Sequence, residues 1–141
     1  MLKNVFVIAA LLILPVILPV VAFAGNDSID IIGAQEKPFV KKRYTIHGSA
    51  KIETVDGETQ LIFSEDFKTK NGPDLKVFLS KFPLDALSSE NVGTNSVRLS
   101  VLKSHKGPQN YAIPANIDLS DYESVIIHCE TFTVLWGGFD L

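Results

Sequence analysis

The residue types able to do chemistry gather at the end of the chain. Its only cysteine, Cys129, and its only tryptophan, Trp136, both fall in Ser124-Val-Ile-Ile-His-Cys-Glu-Thr-Phe-Thr-Val-Leu-Trp-Gly-Gly-Phe-Asp-Leu141. A lone thiol in an exported chain is buried and inert, paired with another molecule, or free and reactive. His128 beside it would be the obvious activating base, yet adjacent side chains on an extended strand point to opposite faces. Val125, Ile127 and Cys129 then share one face, and Ile126, His128 and Glu130 the other. His128 and Cys129 therefore cannot ligate one metal, or act as a simple base and thiol, unless a bulge intervenes. The aliphatic neighbours of Cys129 also point to a core position, and burial of that kind disfavours a thiolate. Trp136, Phe132, Phe139 and Tyr122 could line the cysteine as a wall that stacks on a planar ligand, or could simply pack the edge of a sheet.

Little else in the chain suggests catalysis. His47 and His105 are isolated, and no paired His or Cys spacing of a metal site occurs, so no metal centre is expected. Nor does any spacing assemble an acid, a base and a nucleophile, which argues against an ordinary enzyme.

The elements that must position the closing stretch are short strands. Ile46, Gly48, Ala50 and Ile52 alternate along one face, and Asp56-Gly57 is a strong hairpin signal leading into Thr59 to Phe63, so 44–64 is expected to form an antiparallel hairpin. Asn71-Gly72-Pro73-Asp74 makes a turn into a strand over Leu75 to Ser80. Residues 82–95 read as a loop with at most one helical turn. Strands follow over Val97 to Leu102 and Gln109 to Ile113, and after the polar turn Asp118 to Tyr122 come two more, over 124–129 and 132–137. The pattern is all-β: a single antiparallel β-sandwich or partly closed barrel of about seven or eight short strands.

In front of this lies a different composition. Met1 to Ala24 carries Lys3, an apolar run from Val5 to Val21, and Ala22-Phe23-Ala24 before a polar stretch, which is the order of a secretory signal peptide. An uncleaved membrane anchor and a buried helix are the competing readings; Pro15 and Pro19 count against the helix. The run of about 17 apolar residues is short for a span of roughly 20. Residues 25–42, with the break at Pro38 and the start of the Lys41-Lys42-Arg43 run, read as a solvated linker, leaving 43–141 as the domain. The expected location is thus the periplasm, the cell surface or the extracellular space, with membrane contact only through an uncleaved N-terminal segment. The chain has 141 residues and a net charge of −3, enough for one domain and without a nucleic-acid footprint. It is expected to be a monomer.

These strands also carry a resemblance. Phe67-x-Thr69-x-Asn71-Gly72-Pro73-Asp74-Leu75-x-Val77-Phe78-Leu79-Ser80, then Leu102-Lys103 with Gly107-x-Gln109-Asn110-Tyr111-x-Ile113-Pro114, and finally Tyr122-x-Ser124-Val125-x-Ile127-x-Cys129-x-x-Phe132-x-Val134-x-x-Gly137 resemble the DM13 domain. The resemblance runs through nearly all of residues 45–141. It implies a β-rich extracellular module, found beside DOMON domains in animal proteins and alone or tethered in bacteria, with a proposed part in electron transfer. It further implies that Cys129 is the family cysteine, acting as a free thiol or as a ligand to a prosthetic group such as haem, with a redox partner protein at the cell envelope. Trp136, Phe132 and Tyr122 would form the wall of that site. This chain departs from the family in having His128 where Trp is common before the cysteine, and Trp136 where Phe is frequent before the glycine. Without the resemblance, a non-catalytic binding or adhesion sandwich with a structural cysteine explains the same residues.

Overall fold

The computed structural model of the chain describes residues 35–141. The expected signal helix over 1–24, and residues 25–34 of the expected linker, lie outside the described residues.

From Lys37 onward the alternating pattern becomes eleven strands. They are β1 (Lys37–Pro38), β2 (Val40–Lys41), β3 (Ile46–His47), β4 (Ser49–Val55), β5 (Glu58–Phe63), β6 (Lys68–Thr69), β7 (Leu75–Ser80), β8 (Ser96–Val101), β9 (Gln109–Ala112), β10 (Ser124–Cys129) and β11 (Val134–Asp140). They form an antiparallel four-stranded sheet ordered β1-β4-β5-β9, a five-stranded sheet ordered β2-β11-β10-β7-β8, and a ribbon of β3 and β6. The all-β, antiparallel expectation describes the molecule; the sheets remain open and do not close into a barrel, and the strands number eleven among the described residues where seven or eight were expected, because several are only two residues long. Ala50, Ile52, Leu61, Phe63 and Tyr111 from one sheet meet Val77, Leu79, Val125, Ile127 and Phe139 from the other in one core.

Local chemistry explains the joints. Asp56 and Gly57 both take positive φ, 52° and 80°, as a two-residue hairpin turn requires, and β4 pairs with β5 from Val55↔Glu58 to Ala50↔Phe63. Gly48, at φ 88°, breaks the expected continuous strand: a Cβ there would lie 2.7 Å from the Phe67 Cα. The chain therefore leaves β3 paired with β6 and starts β4 in the larger sheet.

Two sequence expectations change here. The stretch 37–42, read as a solvated linker, belongs to the fold: β1 pairs with β4, β2 pairs with β11, and Phe39 between them is buried against the rings of Phe63, Phe67 and Phe139. Pro38 is compatible with this because β1 is an edge strand, where a missing N–H costs no ladder bond. The second change concerns 81–95. This loop contains one short 3-10 turn, Leu84–Ala86, but it also lays Leu84, Leu87 and Val92 over Phe78, Ile126 and Leu135 on the outer face of the five-stranded sheet. As a result β10 is buried at all six positions. Its uninterrupted Val-Ile-Ile run fits a strand covered on both sides.

Candidate functional site

Cys129 closes β10, opposite Leu75 of β7 and Val134 of β11. Its side chain joins the core between the sheets with Val125 and Ile127, and it has no exposed surface. His128 sits on the other face, as strand alternation requires: it is buried edge-on to the Phe78 ring, whose centroid is 6.1 Å away. The bulge that could have brought the two together is present, between Ile127 and His128, but its extra residue is Trp136 on the partner strand. It rephases β11 and leaves the β10 alternation intact.

That bulge positions the indole. Gly137 pairs with Ile127 and Leu135 with His128, so Trp136 has no partner across the ladder and turns into the same core cluster as Cys129. Its Nε1 donates to Thr69 Oγ1 at 2.9 Å, and that hydroxyl donates to the Thr45 carbonyl at 3.1 Å. Its own carbonyl accepts from the backbone N–H groups of Lys42 and Arg43. The Tyr44 ring lies 4.2 Å from the indole, centroid to centroid. On another side Gly72 makes room for it, since a Cβ at 72 would come within 2.9 Å of Trp136 Cη2 and Leu75 Cδ2.

Two of the expected wall residues do not join it. Phe132 is 66% exposed in the turn after β10. Tyr122 lies before the start of β10, and five strand steps of about 3.3 Å separate Ser124 from Cys129, so it stands roughly 17 Å or more away. It is half-buried there, with Lys81 Nζ 5.6 Å from its ring centroid. Of the expected wall, Trp136 and Phe139 thus enter the core that holds Cys129, and the indole is backed by Tyr44, a residue that sequence reasoning did not select.

A haem does not fit at Cys129. Such a ligand needs a pocket of about 300 Å³ or more, whereas the thiol is fully enclosed and the neighbouring Gly72, Leu75 and Trp136 are in close contact. A groove of about 730 Å³ exists elsewhere, between Glu58, Thr59, Ile113, Asn116, Ile117 and Leu119, and Cys129 is not part of it. Among the described residues no three His, Cys, Asp or Glu side chains converge on a point where a metal could sit.

Charge collects on the outer side of the same strand ends. Asp74 accepts from the backbone N–H and the hydroxyl of Thr131 and pairs with Lys76 at 3.0 Å. Lys76 also bonds Glu130, which Arg98 approaches at 3.5 Å. The Lys76 and Thr131 bonds hold the Asp74 carboxyl below its usual range, and Glu130 followed by Asp74 hold the Lys76 ammonium above its own. This network ties the turn carrying Phe132 to the start of β7. Sequence reasoning saw Asp74 only as a turn residue, and nothing in its spacing points to Thr131.

His128 Nδ1 is buried without a hydrogen-bond partner, and burial pushes the imidazole below its ordinary 6.5, with Glu130 opposing weakly. A group whose folded pKa is depressed takes up protons more readily when unfolded, so stability is full above about pH 6.5 and falls as the pH drops through the folded value. The unfolding free energy, followed by urea titration, should decline as the pH falls below about 6.5, and His128→Leu should flatten that decline. Asp74, Glu90 and Asp118 are depressed from 3.8, 4.5 and 3.8, so their losses come at lower pH and stay separable.

Comparison with known families returns a model described as Electron transfer DM13, matching residues 38–141. The match begins at Pro38, inside the stretch that β1, Phe39 and β2 bring into the fold. Neither the curated proteins nor the solved structures gave a match.

Proposed function

The chain belongs to the DM13 family, described as electron transfer, and we propose that it is an exported module that exchanges electrons with a partner protein at the cell envelope. In this reading Cys129 is the redox-linked residue and is reached through the packed protein, not by direct contact. The carrying observation is its complete burial in the cluster that also holds Trp136, with the half-buried Tyr44 ring packed at a tilt of 46° against the indole. Thiol–disulfide exchange needs a thiolate that another sulfur can reach. The enclosure of this sulfur argues against direct exchange with a disulfide of another protein.

The test combines three measurements on the chain purified from its native host: a visible spectrum, film voltammetry, and titration of Cys129 with a thiol reagent. A reversible couple in the wild type that disappears in a folded Cys129→Ala variant supports the reading. A colourless protein without a couple counts against it.

The second reading, a binding or adhesion sandwich, is favoured by the aliphatic surroundings of the sulfur. Under either reading Cys129→Ser should destabilise the domain by about 1–3 kcal/mol, because a hydroxyl is buried there without a partner. Urea unfolding measures this. Intact partner binding in that variant, together with an absent redox couple, would select the binding module.

A further inference from the structure

The strand ends around Tyr44 carry an uneven distribution of charge. Lys41, Arg43, Lys68, Lys70 and Lys106 are all exposed, and none of them makes a salt bridge among the described residues. Among the other described cations, Lys42 is paired with Asp85, Lys51 with Glu53, Lys76 with Asp74 and Glu130, Lys81 with Asp121, and Arg98 with Glu130, while Lys37 on β1 and Lys103, which donates to the Asn110 carbonyl beside Tyr111, make no salt bridge either. The fold brings the five together. Lys41 lies on β2 beside Gly137, Arg43 follows it, Lys68 faces His47 across the β3–β6 ribbon, Lys70 donates its N–H to the Thr45 carbonyl, and Lys106 bridges to Lys68. Inward positions of the ribbon hold the buried Ile46 and Thr69, which sends the neighbouring cations outward. At the centre is Tyr44, with Lys70 Nζ 4.9 Å and Arg43 Cζ 5.9 Å from its ring and Trp136 beneath it. Val40, 48% exposed, adds apolar surface at the edge. The nearest acidic side chains along the ribbon are Glu65 and Asp66, before Lys68.

Five unneutralised cations on a chain of net charge −3 form a local field that opposes the overall one. A small apolar centre inside a charged rim is the arrangement of a short-lived protein interface, in which charge complementarity sets the encounter rate and orientation. Electron-transfer encounters use small interfaces of this kind. We propose that the face formed by Lys41, Arg43, Lys68, Lys70 and Lys106 around Tyr44 is the docking surface for an acidic redox-partner protein. This rests on the electron-transfer reading and adds the partner's chemistry and the place where it binds. Bound there, the partner contacts Tyr44, one ring from the indole of the cysteine cluster. An anionic membrane is the competing occupant, since clusters of four or more Lys and Arg also attract lipid headgroups.

The experiment uses the isotopically labelled chain from its native host, a polyglutamate peptide as the acidic probe, and vesicles of phosphatidylglycerol as the lipid probe. Peptide binding should shift the amide resonances of residues 40–47 and 68–70, and should weaken steeply with salt. Lys68→Glu with Lys70→Glu should lower the affinity about tenfold or more, while the equally charged control Lys51→Glu with Lys81→Glu should change it by less than about twofold. Melting curves of both variants check that the fold persists. Equal losses in the two variants, or shifts elsewhere, would overturn the proposal. So would tighter binding to the vesicles than to the peptide, which would make this a membrane-facing surface. Electron exchange of the wild type with ferricyanide is measured in parallel. If the binding pattern holds while exchange is absent, the electron-transfer reading has failed and the acidic-partner surface stands.

Discussion

Trp136→Ala is expected to destabilise the domain by about 3–5 kcal/mol, the range for removing a large buried ring. The indole is 4% exposed, so most of its transfer free energy is lost with it. The space left cannot close easily. Gly72 already touches the ring edge, Tyr44 is fixed by its backbone neighbours on the ribbon, and Thr69 loses the donor it accepts from. Trp136→Phe separates these contributions: it keeps a ring in place and loses the bond to Thr69, for which about 1 kcal/mol is expected on top of a smaller cavity. For a domain of ordinary total stability, about 5–15 kcal/mol, the alanine change removes a large share. Urea unfolding followed by circular dichroism measures both, because the intrinsic tryptophan signal is absent from the variants. A cost for Trp136→Ala below about 1 kcal/mol would mean that the indole does not pack as described.

The same residue shows where strand alternation is legible and where it stops. On β10 the period of two held from Ser124 to Cys129, and the separation of His128 from Cys129 follows from it directly. On β11 a strict period would put Trp136 and Phe139, three positions apart, on opposite faces, yet both enter the core. The bulge supplies the extra residue that changes the phase. Gly137-Gly138 beside it is compatible with a bulge or a turn in the sequence, and only the register decides. Turn chemistry was the most readable feature: Asp56-Gly57 fixed the β4–β5 hairpin, and Asn71-Gly72-Pro73-Asp74 led into a strand at Leu75 to Ser80 with the expected limits.

Long-range burial was less legible. Phe39 stands among Lys, Pro and Val in a stretch that looks solvated, and its burial depends on Phe63, Phe67 and Phe139, which are up to one hundred positions distant. Leu84, Leu87 and Val92 sit among serines and turns at no regular period, because a loop draped over a sheet has no repeat to display. Phe132 and Tyr122 are aromatic and near Cys129 in sequence, but β10 carries Tyr122 to its far end and the turn after β10 leaves Phe132 in solvent. The burial of the thiol, by contrast, follows directly from its aliphatic strand neighbours.

Gly138→Ala should be more damaging still, with a loss above about 4 kcal/mol and a largely unfolded chain. Gly138 pairs with Ile126, and β10 approaches so closely that a Cβ at 138 would sit 2.2 Å from the Val125 carbonyl oxygen and 3.0 Å from the Ile126 Cα. These are backbone atoms of a strand hydrogen-bonded on both sides, so they cannot yield as the end of a flexible side chain would. The strands must separate, and β10–β11 is the pairing that closes over Cys129. Gly93→Ala is the matched control: no atom lies within 4 Å of its added Cβ and its φ is not positive, so a change within about 0.5 kcal/mol is expected. Circular dichroism and soluble yield read the fold, and the thiol reagent reads the consequence. Cys129 should react in Gly138→Ala at the rate of the urea-unfolded chain and stay protected in Gly93→Ala. Protection that survives in Gly138→Ala would show that β11 is not what shields the sulfur, and the case for electron exchange through a closed core would lose its physical basis.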